Sequence, residues 1–168
     1  MAASPSADVS KQDWTQLEDT LNDLFCGAIN CARRSVRIMT PYFLPSHDIM
    51  SSLRSAALRG VDVRIVLPGY NNLPYVHWAS FRLLPTLLDS GIRIWHQPPP
   101  FVHSKLLAID GYYAQIGSAN LDARSLRLNF ELNMEVFDRT FHDRVAVHID
   151  SAIAEGVELS SESLRARS

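Results

Sequence analysis

Apolar residues return along this chain in two rhythms. From Trp14 through Leu17, Leu21, Leu24, Ala28 and Ala32 they recur every three or four positions, the stripe of an amphipathic helix. Asp13 is placed to cap it, with Gln16 three residues on. Residues 35–40, SVRIMT, read as a strand that stops at Pro41. Ser46 caps a second helix carrying Ile49, Met50, Leu53 and Ala57, and Gly60 ends it. The β-branched run VDVRIVLPG follows as a strand, and GYNNLP as a loop. Pro74 suits the first turn of a third helix, which Pro85 is expected to kink or split before Gly91. IRIWHQ is the next strand. This helix–strand alternation predicts a parallel sheet with helices on both faces.

Beyond Pro98, Pro99 and Pro100 the rhythm changes. HSKLLAID is a strand whose LLAI run is apolar on both faces, as a central strand requires. GYYAQIGSAN turns back as its neighbour, with Gly111 near the turn and Gly117 as a second turn requirement. LDARSLRL reads as a loop or short helical turn. In NFELNMEVFD, Phe130, Leu132, Met134 and Val136 are expected to face the core, leaving Asn129, Glu131, Asn133 and Glu135 on the other side. Thr140 caps a last helix through Val145, Ile149 and Ile153, and the polar stretch after Gly156 is expected to fray. The expectation is an α/β fold: a mixed, largely parallel central sheet flanked by helices on both faces. Residues 1–12 form a loose segment, 13–157 one domain and 158–168 a polar tail.

Composition narrows this only in part. With 168 residues, 46% apolar and 20% charged, the chain is long enough for one globular core. A net charge of −2 argues against the strongly basic surface that nucleic acid calls for. No run of 18 apolar residues and no basic, apolar leader is present, so the expectation is a cytoplasmic domain without a spanning segment. Cys26 and Cys31 lie in one helical pattern and are expected to be buried or partly buried thiols.

The chemistry sits in the second half. His103 and Lys105, two apart on a strand, share a face. Asp110 follows, then Ser118 and Asn120. An imidazole, an ammonium, a hydroxyl and an amide can together attack and hold a phosphoryl centre without a metal. Fourteen arginines and only two lysines make Lys105 conspicuous, since an ammonium is a point charge where guanidinium is a planar fork. Glu131 can accept from an imidazole Nδ1 and orient it. Tyr75, Trp78 and Phe81 around His77 suit either a core or a lipid interface. Arg33, Arg34 and Arg37 are a solvated patch with a modest pull toward anionic lipid, and Arg124 and Arg127 flank the site loop.

These residues resemble a family. His103–x–Lys105–x4–Asp110, followed after six residues by Gly117–Ser118–x–Asn120, is similar to the signature of the phospholipase D superfamily. TPYFLP at 40–45, GVDVRIVLPG at 60–69, SGIRIW at 90–95 and GSANLDARSLRLNFELN at 117–133 resemble the C-terminal catalytic half of bacterial cardiolipin synthases, over roughly residues 14–160. The resemblance implies His103 as nucleophile or proton donor, Lys105 and Asn120 on the phosphoryl oxygens with Ser118 in support, Asp110 as the motif aspartate, structural in its usual role, and Glu131 as the acid that orients the histidine. It implies no metal and no cofactor. It also implies a phospholipid substrate, phosphatidylglycerol, and a second motif from a homodimer partner or another motif-bearing half, with peripheral membrane contact. A small homodimeric metal-independent nuclease of the same superfamily, or an inactive detached half, are the alternatives. Two features depart from the synthases: one catalytic half instead of two, and no strand ahead of the first helix.

Overall fold

The computed structural model describes residues 11–70, 74–122, 125–126 and 131–165, with side chains at 20–70, 79–122, 125–126 and 131–164. A seven-stranded sheet runs through the molecule in the order β8-β6-β5-β1-β3-β4-β9. Helix α1 (Lys11–Cys31) leads into β1 (Ser35–Met39). Then come β2 (Phe43–Leu44), α2 (His47–Leu58), β3 (Asp62–Pro68), α3 (Pro74–Leu88) and β4 (Arg93–Gln97). After the prolines follow β5 (Leu106–Ile109), β6 (Tyr113–Gly117), β7 (Leu121–Asp122) and β8 (Asn133–Phe137). The chain closes with α4 (Arg139–Glu155), β9 (Val157–Glu158) and α5 (Ser161–Arg165). The expected mixed sheet forms. Its parallel part is β1, β3 and β4, joined through helices, while β5, β6, β8 and β9 pair antiparallel with their neighbours.

Helices cover both faces. Val36, Ile38, Ile65, Ile94, Leu107 and Ile109 pack toward α1 and α2 with Phe25, Ile29, Ile49 and Leu53, all buried. Met39, Val66, Ala108 and Ala114 on the reverse face meet Val145, Ala146, Ile149 and Ala152 of α4. The Ser46 hydroxyl accepts from the Ile49 N–H at 3.2 Å, so the expected cap of α2 is made, and Gly60 follows at φ +88°. No helix among the described residues is long and apolar enough to cross a membrane.

Several boundaries and faces differ from the sequence reading. Helix α1 starts at Lys11, ahead of the expected Asp13 cap. Pro85 neither splits nor ends α3, which runs to Leu88; it lies in the last turn, where few backbone bonds remain to lose. Helix α4 is capped by Asp138, which accepts from the Phe141 N–H at 2.8 Å, two residues before Thr140. Among the described residues, 157–165 do not fray. Strand β9 pairs with β4, α5 follows, and Leu159 and Leu164 are buried in the main core. Cys31 is exposed and Cys26 half-buried, both as free thiols.

The largest difference is in β8. Leu132 is 80% and Met134 52% exposed, where the alternation places them in the core. Strand β8 is the outermost on its side of the sheet, so part of that face stays open. Phe130 lies outside the described residues.

Candidate active site

Three parallel strands end at one edge of the sheet, and in open α/β sheets ligands bind beyond the carboxyl ends of such strands. At that edge β1 runs on through Thr40 and Tyr42, β5 begins after His103 and Lys105, and β6 ends at Gly117 and Ser118. The short ladder between β2 and β7 pairs Phe43 with Leu121 and Leu44 with Asp122, tying the loop of Tyr42 to the loop of Asn120.

Lys105 and His103 touch. The ammonium Nζ lies 2.7 Å from Nδ1 and 3.2 Å from Nε2 of the ring, and donates to the His103 carbonyl at 2.9 Å. An ammonium carries only donors, so the contact favours a ring nitrogen with a free lone pair and disfavours the imidazolium. Burial holds the imidazole below its ordinary pKa, and the charge of Lys105 pushes the same way. Burial lowers Lys105 as well, opposed by the Glu131 carboxylate. Tyr42 stands edge-on to the ring with centroids 5.8 Å apart, and Phe101 lies 6.0 Å away, so two aromatic faces wall the imidazole.

Glu131 anchors the polar half. Its Oε2 accepts from the Ser118 hydroxyl, and its Oε1 accepts from the Ser125 hydroxyl at 3.1 Å. Asn120 Nδ2 donates to Ser125 Oγ at 3.0 Å, and the Ser125 N–H is held by Asp122 at 2.8 Å. The hydroxyl proton of Ser118 therefore points to Glu131, and one N–H of Asn120 is engaged. Backbone bonds lock the two strand ends: Ser118 N–H donates to Leu132 O at 3.0 Å, and Leu132 N–H to Ser118 Oγ at 2.9 Å. Gly117 is needed here for a close approach and not for a turn. A Cβ on it would overlap Asn133 Oδ1 and lie 2.5 Å from Leu132 O.

Asp110 is not brought to this cluster. It follows β5 at the opposite end from Lys105, about 15 Å away by strand rise, with φ +56°. Its carboxylate accepts the backbone N–H groups of Arg33, Arg34 and Ser35, each at 2.8 Å. Burial alone would raise its pKa, but these bonds and the Arg34 charge bring it below the ordinary value. The motif aspartate thus ties the α1–β1 turn to the β5–β6 turn.

Tyr42 and Ser125 escaped the sequence reading. Both lie inside stretches that carry the family likeness, yet only contact with His103 and Glu131 reveals what they do. Arg37 is held by Asp150 at 2.8 Å and is not free for lipid, while Phe81 packs on His96 with ring centroids 5.7 Å apart. The side chains of Tyr75, His77 and Trp78, and Arg124 and Arg127, lie outside the described residues. Among the described residues no three His, Cys, Asp or Glu side chains converge as a metal-holding group.

Comparison with known proteins agrees with this geometry. Residues 25–153 match the family described as cardiolipin synthase, PLD-like domain. Cardiolipin synthase of Staphylococcus aureus strain Mu50 is 36% identical over 156 residues, which is 93% of this chain and 30% of the synthase. The chain thus spans under a third of the length of that relative. Among solved structures, Nuc of Salmonella typhimurium, a phospholipase D family member, superposes with a TM-score of 0.74 at 26% identity, covering 83% of this chain and 91% of Nuc. Phosphatidylserine synthase of Haemophilus influenzae Rd KW20 shares the fold, with a TM-score of 0.65 at 20% identity over 83% of this chain and 37% of that one. The family match over residues 25–153 and the 36% identity over 93% of the chain place it in the phospholipase D superfamily, as a member of its cardiolipin synthase domain family.

Proposed function

We propose that this domain performs phospholipase D-type phosphodiester transfer through a phosphohistidine, and that its reaction is phosphatidyl transfer between two phosphatidylglycerol molecules. The observation that carries the reading is the 2.7 Å contact between Lys105 Nζ and the ring of His103. It keeps a neutral nucleophile and a cation for phosphate oxygens in one place.

A ring nitrogen of His103 attacks phosphorus, the bond from phosphorus to the glycerol oxygen breaks, and a second imidazole, protonated for this step, gives that oxygen its proton and is left neutral. The free hydroxyl of another phosphatidylglycerol then attacks the phosphohistidine. Its proton returns to the second imidazole as the P–N bond breaks, giving cardiolipin and glycerol. Lys105 holds the phosphoryl oxygens, with the remaining N–H of Asn120 and the Ser118 loop beside it. Glu131 positions Ser118 and Ser125 and supports the charge of Lys105. The second imidazole is His103 of another copy, brought by a homodimer, or the histidine of another motif-bearing half. The substrate implies peripheral contact with the inner face of the membrane.

The test is turnover of phosphatidylglycerol in mixed micelles, scored as cardiolipin and glycerol. His103→Asn is expected to lose at least ~10³-fold, the scale seen when a nucleophile is removed. Undiminished turnover by that variant would refute the proposal. The extent of the likeness to Nuc, 91% of that chain, keeps metal-independent phosphodiester cleavage of nucleic acid as a second reading, although the net charge of −2 weighs against it. Plasmid cleavage in EDTA that is lost in His103→Ala selects the second reading. A strictly monomeric protein without turnover marks an inactive half.

A further inference from the structure

Behind the site lies a partly open cavity of about 10 Å³, bounded by Thr40, Lys105, Gln115 and Asn133 among apolar neighbours. That is the room of about one water molecule. Gln115, in the middle of β6, is 3% exposed, and neither its amide oxygen nor its amide nitrogen has a hydrogen-bond partner. A buried primary amide left so is costly, and native proteins place a water or a functional contact at such a group.

The other polar walls are engaged. The Thr40 hydroxyl donates to Tyr42 O at 3.0 Å, and Asn133 Oδ1 accepts from the Ala119 N–H at 3.2 Å. Glu135, which pairs with Gln115 in register, accepts from the Tyr113 hydroxyl at 2.6 Å. Lys105 is different. Of its three N–H groups, one serves the His103 carbonyl and one the His103 ring, and a third remains.

We propose that Gln115 is a positioning residue for Lys105. Its amide oxygen accepts from one water held in the cavity, and that water accepts the third N–H of the ammonium. The side chain is thereby held from behind while its front meets His103 and an incoming phosphoryl group. The inference rests on Lys105 being the phosphoryl-binding cation proposed above, but its test does not require turnover. The charged or titratable groups that face Lys105 are His103 on its own segment and Glu131 ahead of β8. Thr40 from β1, Gln115 from β6 and Phe25 from α1 are uncharged.

The chain has two lysines, Lys11 and Lys105, so a protein labelled with ¹³Cε-lysine gives two side-chain signals. The experiment titrates both in the parent, in Gln115→Met and in Gln115→Glu. Losing an acceptor of the charged form lowers a lysine pKa. The Lys105 midpoint is therefore expected to fall by about half a pH unit or more in Gln115→Met, the size of one net hydrogen bond to a charged group. The Lys11 midpoint stays put and the melting temperature stays near the parent's. Gln115→Glu, which keeps an acceptor, returns the Lys105 midpoint to the parent value or above. An unmoved Lys105 midpoint in Gln115→Met overturns the proposal, whether or not the melting temperature falls. If that variant does not fold, Gln115→Leu is read in its place by the same criterion. Turnover is a separate arm: kcat is expected to drop several-fold with little change in KM. A parent without any turnover counts against the proposed function, while the lysine titration still decides the role of Gln115.

Discussion

The ammonium of Lys105 resting on the ring of His103 adds to burial in disfavouring the protonated imidazole. Protonating that ring places two cations 2.7 Å apart in a partly buried site. Burial first, and Lys105 second, hold its pKa below the ordinary histidine value of about 6.5. The acid limb of kcat/KM is therefore expected below that pH, with activity lost as pH falls through the limb; a pH–rate profile checks this, and a limb above about 7 contradicts it. Asp110 makes the opposite kind of prediction. Its folded pKa is depressed, so its stabilisation is present above the unfolded value of about 4 and is lost as pH falls through the folded value. Asp110→Ala removes the acceptor for three backbone N–H groups and puts a Cβ residue without local hydrogen bonding at φ +56°. It should cost about 2–3 kcal/mol in urea denaturation, and Asp110→Asn less, since Asn tolerates that backbone and keeps one acceptor. Spacing alone brings out His103 and Lys105 as a pair, although the expected strand starts only at Leu106 and both lie in the extended segment just ahead of it. The same spacing hides the separation of Asp110, which lies a whole strand length away and serves a turn.

At the scale of elements, the chain's last residues are the clearest test. Stretches 157–158 and 161–165 look polar, yet Leu159 and Leu164 fill the core beside β4. Truncation after Gly156 removes both, uncovers the core they cover, and should lower stability by roughly 3–5 kcal/mol at most, read from the shift of the urea midpoint. An unchanged midpoint would mean the tail is dispensable, as its composition suggests. Two leucines in a polar run carry no periodic signal, so only the docked structure shows their burial. Strand β8 errs the other way. Its alternation was legible, but alternation cannot tell which face a neighbouring helix leaves open. Here the polar side meets the Ser118 loop and Tyr113, while Leu132 and Met134 face outward. Gly117→Ala places a methyl against Asn133 and Leu132, and is expected to reduce both melting temperature and turnover.

For the whole molecule, helix–strand alternation was enough to read a parallel core with helices on both faces, and the prolines marked where the topology changes. What the alternation could not carry is assembly: the two-step reaction proposed above uses two imidazoles, and His103 supplies one. If the partner is a second copy, mixed dimers of parent and His103→Asn lack one of the two. Activity of co-refolded mixtures should then fall as the square of the parent fraction, whereas linear loss would mean each chain works alone. Sedimentation of the same samples gives the dimer fraction independently. The central claim, attack by His103 on phosphorus, is tested most directly by acid-sparing quench of the reaction with phosphatidylglycerol and mass spectrometry of the peptides. A phosphatidyl adduct is expected on the peptide containing His103 and is expected to be absent from His103→Asn. Full turnover with that peptide unmodified throughout would contradict it.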